Sequence, residues 1–208
     1  MKFRIFCLGI LGFFAGTACA LAADGRSQLQ LFIDRTNIGE GRFTQISLTK
    51  QDGKVKKSQG SFSFERPGKF RWVYEQPYKQ ILVGDGVRLW IYDPELKQVS
   101  VKPAAKILDG TPAMFLVGAR DLKQNFILEE DSSEGDISWV RAKPKKDNAG
   151  FESLRLGLRA GMLVRLEIEH SFGVSTRLTV EEFNLNPVLD KIIFKFTRPP
   201  GVDVLEAF

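Results

Sequence analysis

Residues Gly60 to Val101 read GSFSFERPGKFRWVYEQPYKQILVGDGVRLWIYDPELKQVSV, and the rhythm of this stretch decides the fold class. Apolar and polar residues alternate with the period of two that belongs to strands, not the 3.6 of helices. Phe70, Trp72 and Tyr74 share one face, opposite Arg71, Val73 and Glu75. From Val87 to Tyr92 both faces are apolar, with Leu89 and Ile91 on one and Trp90 and Tyr92 on the other. Turn signals at Gly84-Asp85-Gly86 and Asp93-Pro94 separate the runs. The spacing predicts strands over Lys54 to Glu65, Lys69 to Glu75, Lys79 to Gly84, Val87 to Asp93 and Leu96 to Lys102. Neighbours in sequence then pair as an antiparallel meander.

The same rhythm extends outward. Upstream, Phe43 to Lys50 alternates and ends at Asp52-Gly53, while Gln28 to Ile38 carries a helical stripe of Leu29, Leu31, Phe32 and Ile33, with Ser27 as its N-cap. Downstream, Pro103 to Gly118 breaks the pattern. There Thr111 as N-cap and Pro112 at the first helical position start a short apolar helix over Ala113, Met114, Phe115, Leu116 and Val117. Strands resume at Gln124 to Glu129, Ile137 to Lys143, Phe151 to Leu158, Met162 to His170, Val174 to Phe183 and Lys191 to Thr197. Arg198-Pro199-Pro200-Gly201 ends the last. Two short helices cannot cover about a dozen strands, and a sheet with one greasy face must close, stack or be covered. The expected fold is therefore mainly β: an incomplete, half-open antiparallel barrel with a small lid of short helices.

The N-terminus reads as an export signal. Lys2 and Arg4 precede an apolar run from Ile5 to Ala15, and cleavage after Ala20 or Ala22 fits the small-residue rule. Residues 1–22 are then the signal peptide and 23–208 a single domain, released outside the cytoplasm. Cys7 and Cys19 leave with the signal, so neither disulfides nor thiolate chemistry is expected. An acylated Cys19 would instead make the chain a lipid-anchored protein. Gly16 stands, however, where a lipobox carries Leu or a similar residue. Removing Lys2 and Arg4 lowers the formal charge of +5 to +3, too little to indicate nucleic-acid binding. Phe outnumbers Tyr 17 to 3, which implies much purely apolar surface, either core or the wall of a lipid pocket.

Enzyme chemistry is not expected. His170 is the single histidine, and no G-x-S-x-G, G-x-x-x-x-G-K-[ST] or H-E-x-x-H motif occurs. Glu129, Glu130, Asp131, Glu134 and Asp136 fit no Ca²⁺ loop and read as a solvated acidic hairpin, and Lys143 to Lys146 as a solvated basic run. No metal or cofactor is expected.

Three sets of residues together resemble the outer-membrane lipoprotein carrier family, LolA. The first is Arg66-Pro67-Gly68-Lys69-Phe70-Arg71-Trp72, leading through Gln76-Pro77 into Ile81-Leu82-Val83-Gly84-Asp85-Gly86. The second is Leu89-Trp90-Ile91-Tyr92-Asp93-Pro94 with Gln98. The third combines Thr111-Pro112 with Phe194-Lys195-Phe196-Thr197-Arg198-Pro199-Pro200-Gly201-Val202. Residues 125–186 match only in strand rhythm. The resemblance implies a monomeric periplasmic carrier whose cargo is the acyl anchor of lipoproteins. It implies as partners the inner-membrane lipoprotein-releasing ABC transporter and the outer-membrane acceptor LolB, and no nucleic acid. It implies Arg66 as a lid latch, and Met114, Phe115 and Leu116 as the lid's apolar underside. Phe62, Phe64, Phe70, Trp72, Tyr74, Leu89 and Ile91 become cavity or partner contacts. Core packing is the competing role for the apolar residues, and a turn before Pro67 for Arg66.

Overall fold

The computed structural model describes residues 24–103, 116–117, 122–145 and 150–206. The expected signal peptide, the helix start at Thr111-Pro112, and Met114 and Phe115 lie outside them. Helix α1 runs Gly25–Arg35. Strands β1 (Ile38–Thr49), β2 (Val55–Glu65), β3 (Lys69–Gln76), β4 (Gln80–Asp85), β5 (Arg88–Asp93) and β6 (Gln98–Pro103) form one meander. A short helix α2 (Leu122–Asn125) leads into a second: β7 (Phe126–Glu134), β8 (Ile137–Pro144), β9 (Phe151–Arg159), β10 (Met162–His170) and β11 (Val174–Leu185). A 3-10 turn (Lys191–Phe194) and β12 (Asp203–Glu206) follow.

All the strands among the described residues belong to one twelve-stranded sheet, ordered β12-β6-β5-β4-β3-β2-β1-β11-β10-β9-β8-β7. The edges, β12 and β7, do not pair, so the barrel is open. The two meanders meet at a single seam, β1 against β11, from Gly39↔Leu185 to Thr49↔Val174. Neighbours are antiparallel except β12, which lies parallel to β6.

The sheet is tightly curled. The register shifts at Arg42/Phe43 in the seam and at Gln59/Gly60 between β2 and β3, and such bulges bend a sheet. Backbones crowd at those points: a Cβ on Gly41 would lie 2.0 Å from the Glu182 carbonyl oxygen, and one on Gly60 1.8 Å from that of Val73. Only glycine fits there.

The core fills the concave side. Near the seam it is aromatic: Phe43 lies 4.4 Å from Trp72 between ring centroids, Phe62 stacks on Trp72 at 5.5 Å, and Phe183 joins Phe62 at 5.6 Å. On β9 to β11 it becomes aliphatic, with Leu154, Leu156, Leu158, Leu163, Leu166, Ile168 and Leu178 all fully buried. Helix α1 lies across β7 to β10 and adds Leu29, Phe32 and Ile33 to the same core. It starts at Asp24, not at Ser27 as the sequence suggests; the Asp24 carboxylate accepts the Ser27 amide at 2.7 Å. Glu130 then takes the Gly25 and Arg26 amides at 2.9 and 2.8 Å, so two carboxylates hold the positive end of the helix.

Lys191 to Thr197 is not a strand. Asp190 caps a 3-10 turn there, and the segment crosses the convex face of the first meander instead of joining the sheet. Phe196 stacks on Trp90 at 5.3 Å and meets Tyr92 at 5.7 Å. The Arg71 guanidinium donates to the Ile193 carbonyl. This cover explains why both faces of β5 are apolar. The twelfth strand is Asp203–Glu206, beyond the Pro-Pro-Gly turn expected to end the sheet.

Candidate functional site: an apolar concave face under a helical cover

The side chains expected at the cavity are brought together. Phe62, Phe64, Phe70, Trp72 and Leu89 are buried at 1–3 % exposure on the inward side of β2, β3 and β5, with Tyr74 and Ile91 half-buried beside them. They form a continuous aromatic floor. Leu116 and Val117 are helical and buried against the same core, so part of the expected lid helix covers this floor.

Arg66 ties the cover together. It sits at the end of β2, buried, in the turn before β3. Its Nε donates to the Leu116 carbonyl at 2.8 Å, and Nη1 donates to the carbonyls of Ile33, at 3.2 Å, and Thr36. The last two belong to the C-terminal end of α1, where carbonyls lack intrahelical donors and the dipole favours a cation. The guanidinium carbon lies 5.4 Å from the Phe32 ring centroid and 5.3 Å from that of Phe64, which places a planar cation between two ring faces. One side chain therefore spans three elements: α1, the helical turn at 116–117 and the sheet. Asn186 fixes the neighbouring corner, accepting the Asn37 and Ile38 amides and donating to the Arg35 carbonyl at 2.7 Å.

The charged clusters have structural partners. Glu129 pairs with Lys143, Asp131 with Arg141 and Arg155, Glu134 with Arg155, and Asp136 with Arg159, while Glu130 serves α1. The acidic hairpin is thus paired rather than merely solvated. Among the described residues no group of three His, Cys, Asp or Glu side chains gathers to hold a metal ion. His170 faces the Thr176 hydroxyl at 3.3 Å, and burial holds its pKa below the usual imidazole value, with Glu169 partly opposing.

Sequence reasoning missed a row of polar residues at the opposite end of the concave face. Tyr74 Oη donates to Gln45 Oε1 at 3.1 Å, Gln45 Nε2 donates to Ser47 Oγ at 3.3 Å, and Ser47 Oγ lies 3.2 Å from Thr176 Oγ1. The signal was present, since Gln45 and Ser47 follow Phe43 on the inward positions of β1.

The family model described as "Outer membrane lipoprotein carrier protein LolA" matches residues 35–197. The chain belongs to the LolA family. The outer-membrane lipoprotein carrier protein of Methylobacillus flagellatus is 36% identical over 186 residues, covering 89% of this chain and 91% of its own. That of Neisseria gonorrhoeae is 41% identical over 165 residues, 79% of each chain. Among solved structures, a LolA superfamily protein from Nitrosomonas europaea is 12% identical with a TM-score of 0.52, covering 84% of this chain and 99% of that one, and is similar in fold. The Arg66 turn, the Trp72 strand and Leu116 lie within the matched region, whereas α1 precedes it except for its last residue, Arg35.

Proposed function

We propose that this protein is a periplasmic carrier of lipoproteins. It accepts them from the inner-membrane lipoprotein-releasing ABC transporter, shields their acyl chains against the concave face, and delivers them to the outer-membrane acceptor LolB. The observation that supports this reading most is how the cover is held: α1 and the turn at Leu116 pack into the core that lines the concave face, and one buried arginine donates hydrogen bonds to both. Each buried CH₂ is worth about 0.8 kcal/mol, so an anchor of tens of carbons cannot cross water without such a surface. Arg66 acts as the latch. Charge-assisted hydrogen bonds to backbone carbonyls hold the cover in the empty state and break without covalent chemistry when acyl chains displace it. Leu116 belongs to the underside of the lid.

The test uses spheroplasts that carry the transporter. Adding this protein with ATP is expected to release outer-membrane lipoproteins into the medium as soluble complexes. Equal release without ATP, or none beside a matched transporter, would overturn the carrier reading.

A further inference from the structure

At the open end of the concave face the usual pattern of a half-buried strand is inverted. Phe43, Gln45 and Ser47 face inward on β1, and Gly60, Ser58 and Lys56 stand opposite them on β2. Outward at the same level are Ile46, Leu48 and Val55, exposed by 42%, 38% and 57%. Shifting this part of the hairpin by one residue would bury the three apolar side chains and hydrate the polar ones. Burial alone favours that shift, so the inward polarity is maintained against the hydrophobic gain.

The polar side chains are ordered. Tyr74 holds Gln45 Oε1, which turns the amide nitrogen toward Ser47 and leaves Gln45 a second N–H to give. Burial raises the Tyr74 pKa, so the phenol stays a neutral donor. A cavity of about 500 Å³ opens over this row, walled by Pro77 and Tyr78 of the β3–β4 loop and Leu96 of the β5–β6 hairpin. Its floor is Tyr74, which meets Phe43 edge-on at 5.4 Å. A polar cup therefore continues directly into the aromatic floor.

We propose that this cup is the subsite for the polar junction of an acylated protein. Gln45, Ser58 and Lys56 donate to the ester carbonyls where the acyl chains join the head of the anchor. The assignment rests on the carrier reading and deepens it. Such carbonyls accept hydrogen bonds and cannot donate. Drawn in behind their chains without donors, they would lose the hydrogen bonds they make in water, and a wholly apolar cup would reject them.

The purified chain and its Gln45→Leu/Ser58→Ala variant are titrated with three probes: an ester-linked triacylated lipopeptide, its ether-linked analogue, and diphenylhexatriene, a hydrocarbon fluorophore. The variant is expected to bind the ester lipopeptide at least about tenfold more weakly, with the hydrocarbon changed less than about twofold, as the loss of two neutral hydrogen bonds dictates. The ether analogue should bind the wild type about tenfold more weakly than the ester and ignore the substitutions, because the interaction is already absent. Equal weakening of ester and ether, or an unchanged ester affinity in the variant, would overturn the cup assignment while leaving the carrier reading in place. If the variant does not fold, the ester–ether comparison on the wild type decides. A wild type that binds no lipopeptide at all would overturn both.

Discussion

Replacing Arg66 by Leu removes three hydrogen bonds from a guanidinium to carbonyls on two separate covering elements. A hydrogen bond to a charged group contributes about 1.5–3 kcal/mol. The bond from Nε to Leu116 alone therefore biases the closed over the open cover by about 10–100-fold, at 1.4 kcal/mol per factor of ten. The two bonds to α1 act on the fold as a whole. Stranding the buried carbonyls of Ile33 and Thr36 costs about 2–4 kcal/mol, part of which the leucine's packing against Phe32 and Phe64 offsets. For a domain of this size that is a fall in Tm of about 4–16 °C, and the protein should still fold. Cargo loading persists, because the concave wall is intact. Delivery suffers, because discharge is favourable only when the emptied carrier relaxes into a stable closed form. Arg66→Leu should thus accumulate as a carrier–lipoprotein complex that transfers to outer-membrane vesicles at least about tenfold more slowly, the factor set by the lost Leu116 bond. Arg66→Lys should recover only part of the rate, since an ammonium lacks the planar fork that reaches Leu116 and α1 together. The assay is the transfer rate from isolated loaded complex, with circular dichroism as the folding control. A folded Arg66→Leu protein transferring at the wild-type rate refutes the latch.

Three further outcomes follow from the fold. Gly60→Ala should lower Tm by more than about 6 °C or prevent folding, since its Cβ has nowhere to go between β2 and β3; Gly53→Asn, at an open turn with φ 69°, should change stability by less than about 1 kcal/mol in thermal melts. Glu130→Ala removes the acceptor of two first-turn amides of α1 and should cost about 1–2 kcal/mol, or about 2–8 °C in Tm; an unchanged melt would mean that Asp24 suffices as the cap. The depressed pKa of His170 means that the unfolded chain takes up its proton first as pH falls. Its contribution is fully present above the ordinary imidazole pKa near 6.5 and is lost as pH drops through the folded value. Tm measured from pH 7.5 down to 5.5 should accordingly fall less steeply in His170→Gln than in the wild type.

The alternation that runs from Phe43 to Val101 and again from Ile137 to Phe183 made the strands legible, because a side-chain period of two survives in the sequence whatever the strand pairs with. What the strand pairs with does not survive. Nothing in Phe43 or Val180 marks them as partners across the seam. The beginning of β1 was missed because Gly39 and Gly41 have poor strand propensity and are there for close packing. Phe194 and Phe196 alternate like a strand, yet they do so to cover Trp90 and Tyr92 on the convex face. Arg66 was singled out through the family resemblance. Its partners are backbone carbonyls, which carry no signature in side-chain sequence. The polar cup was overlooked for the opposite reason. Apolar character alone would place Ile46 and Leu48 on the inward face of β1, yet the residues that face inward at that level are Gln45 and Ser47.

The seam between β1 and β11 also governs how the molecule can come into being. The first strand of the sheet finds one of its two neighbours at once, in β2, but the other lies more than a hundred residues later, since Leu48 pairs with Ser175 and Gly39 with Leu185. Until β11 has formed, the N-terminal meander exists with an open edge along its longest strand and with Phe43, Phe62 and Trp72 facing water. Such an edge invites pairing with other chains, and contacts of this sequence separation make folding slow. A protein built to keep other molecules' grease from aggregating thus depends on its last long strand to cover its own, and any state that lacks β11 leaves those strands exposed.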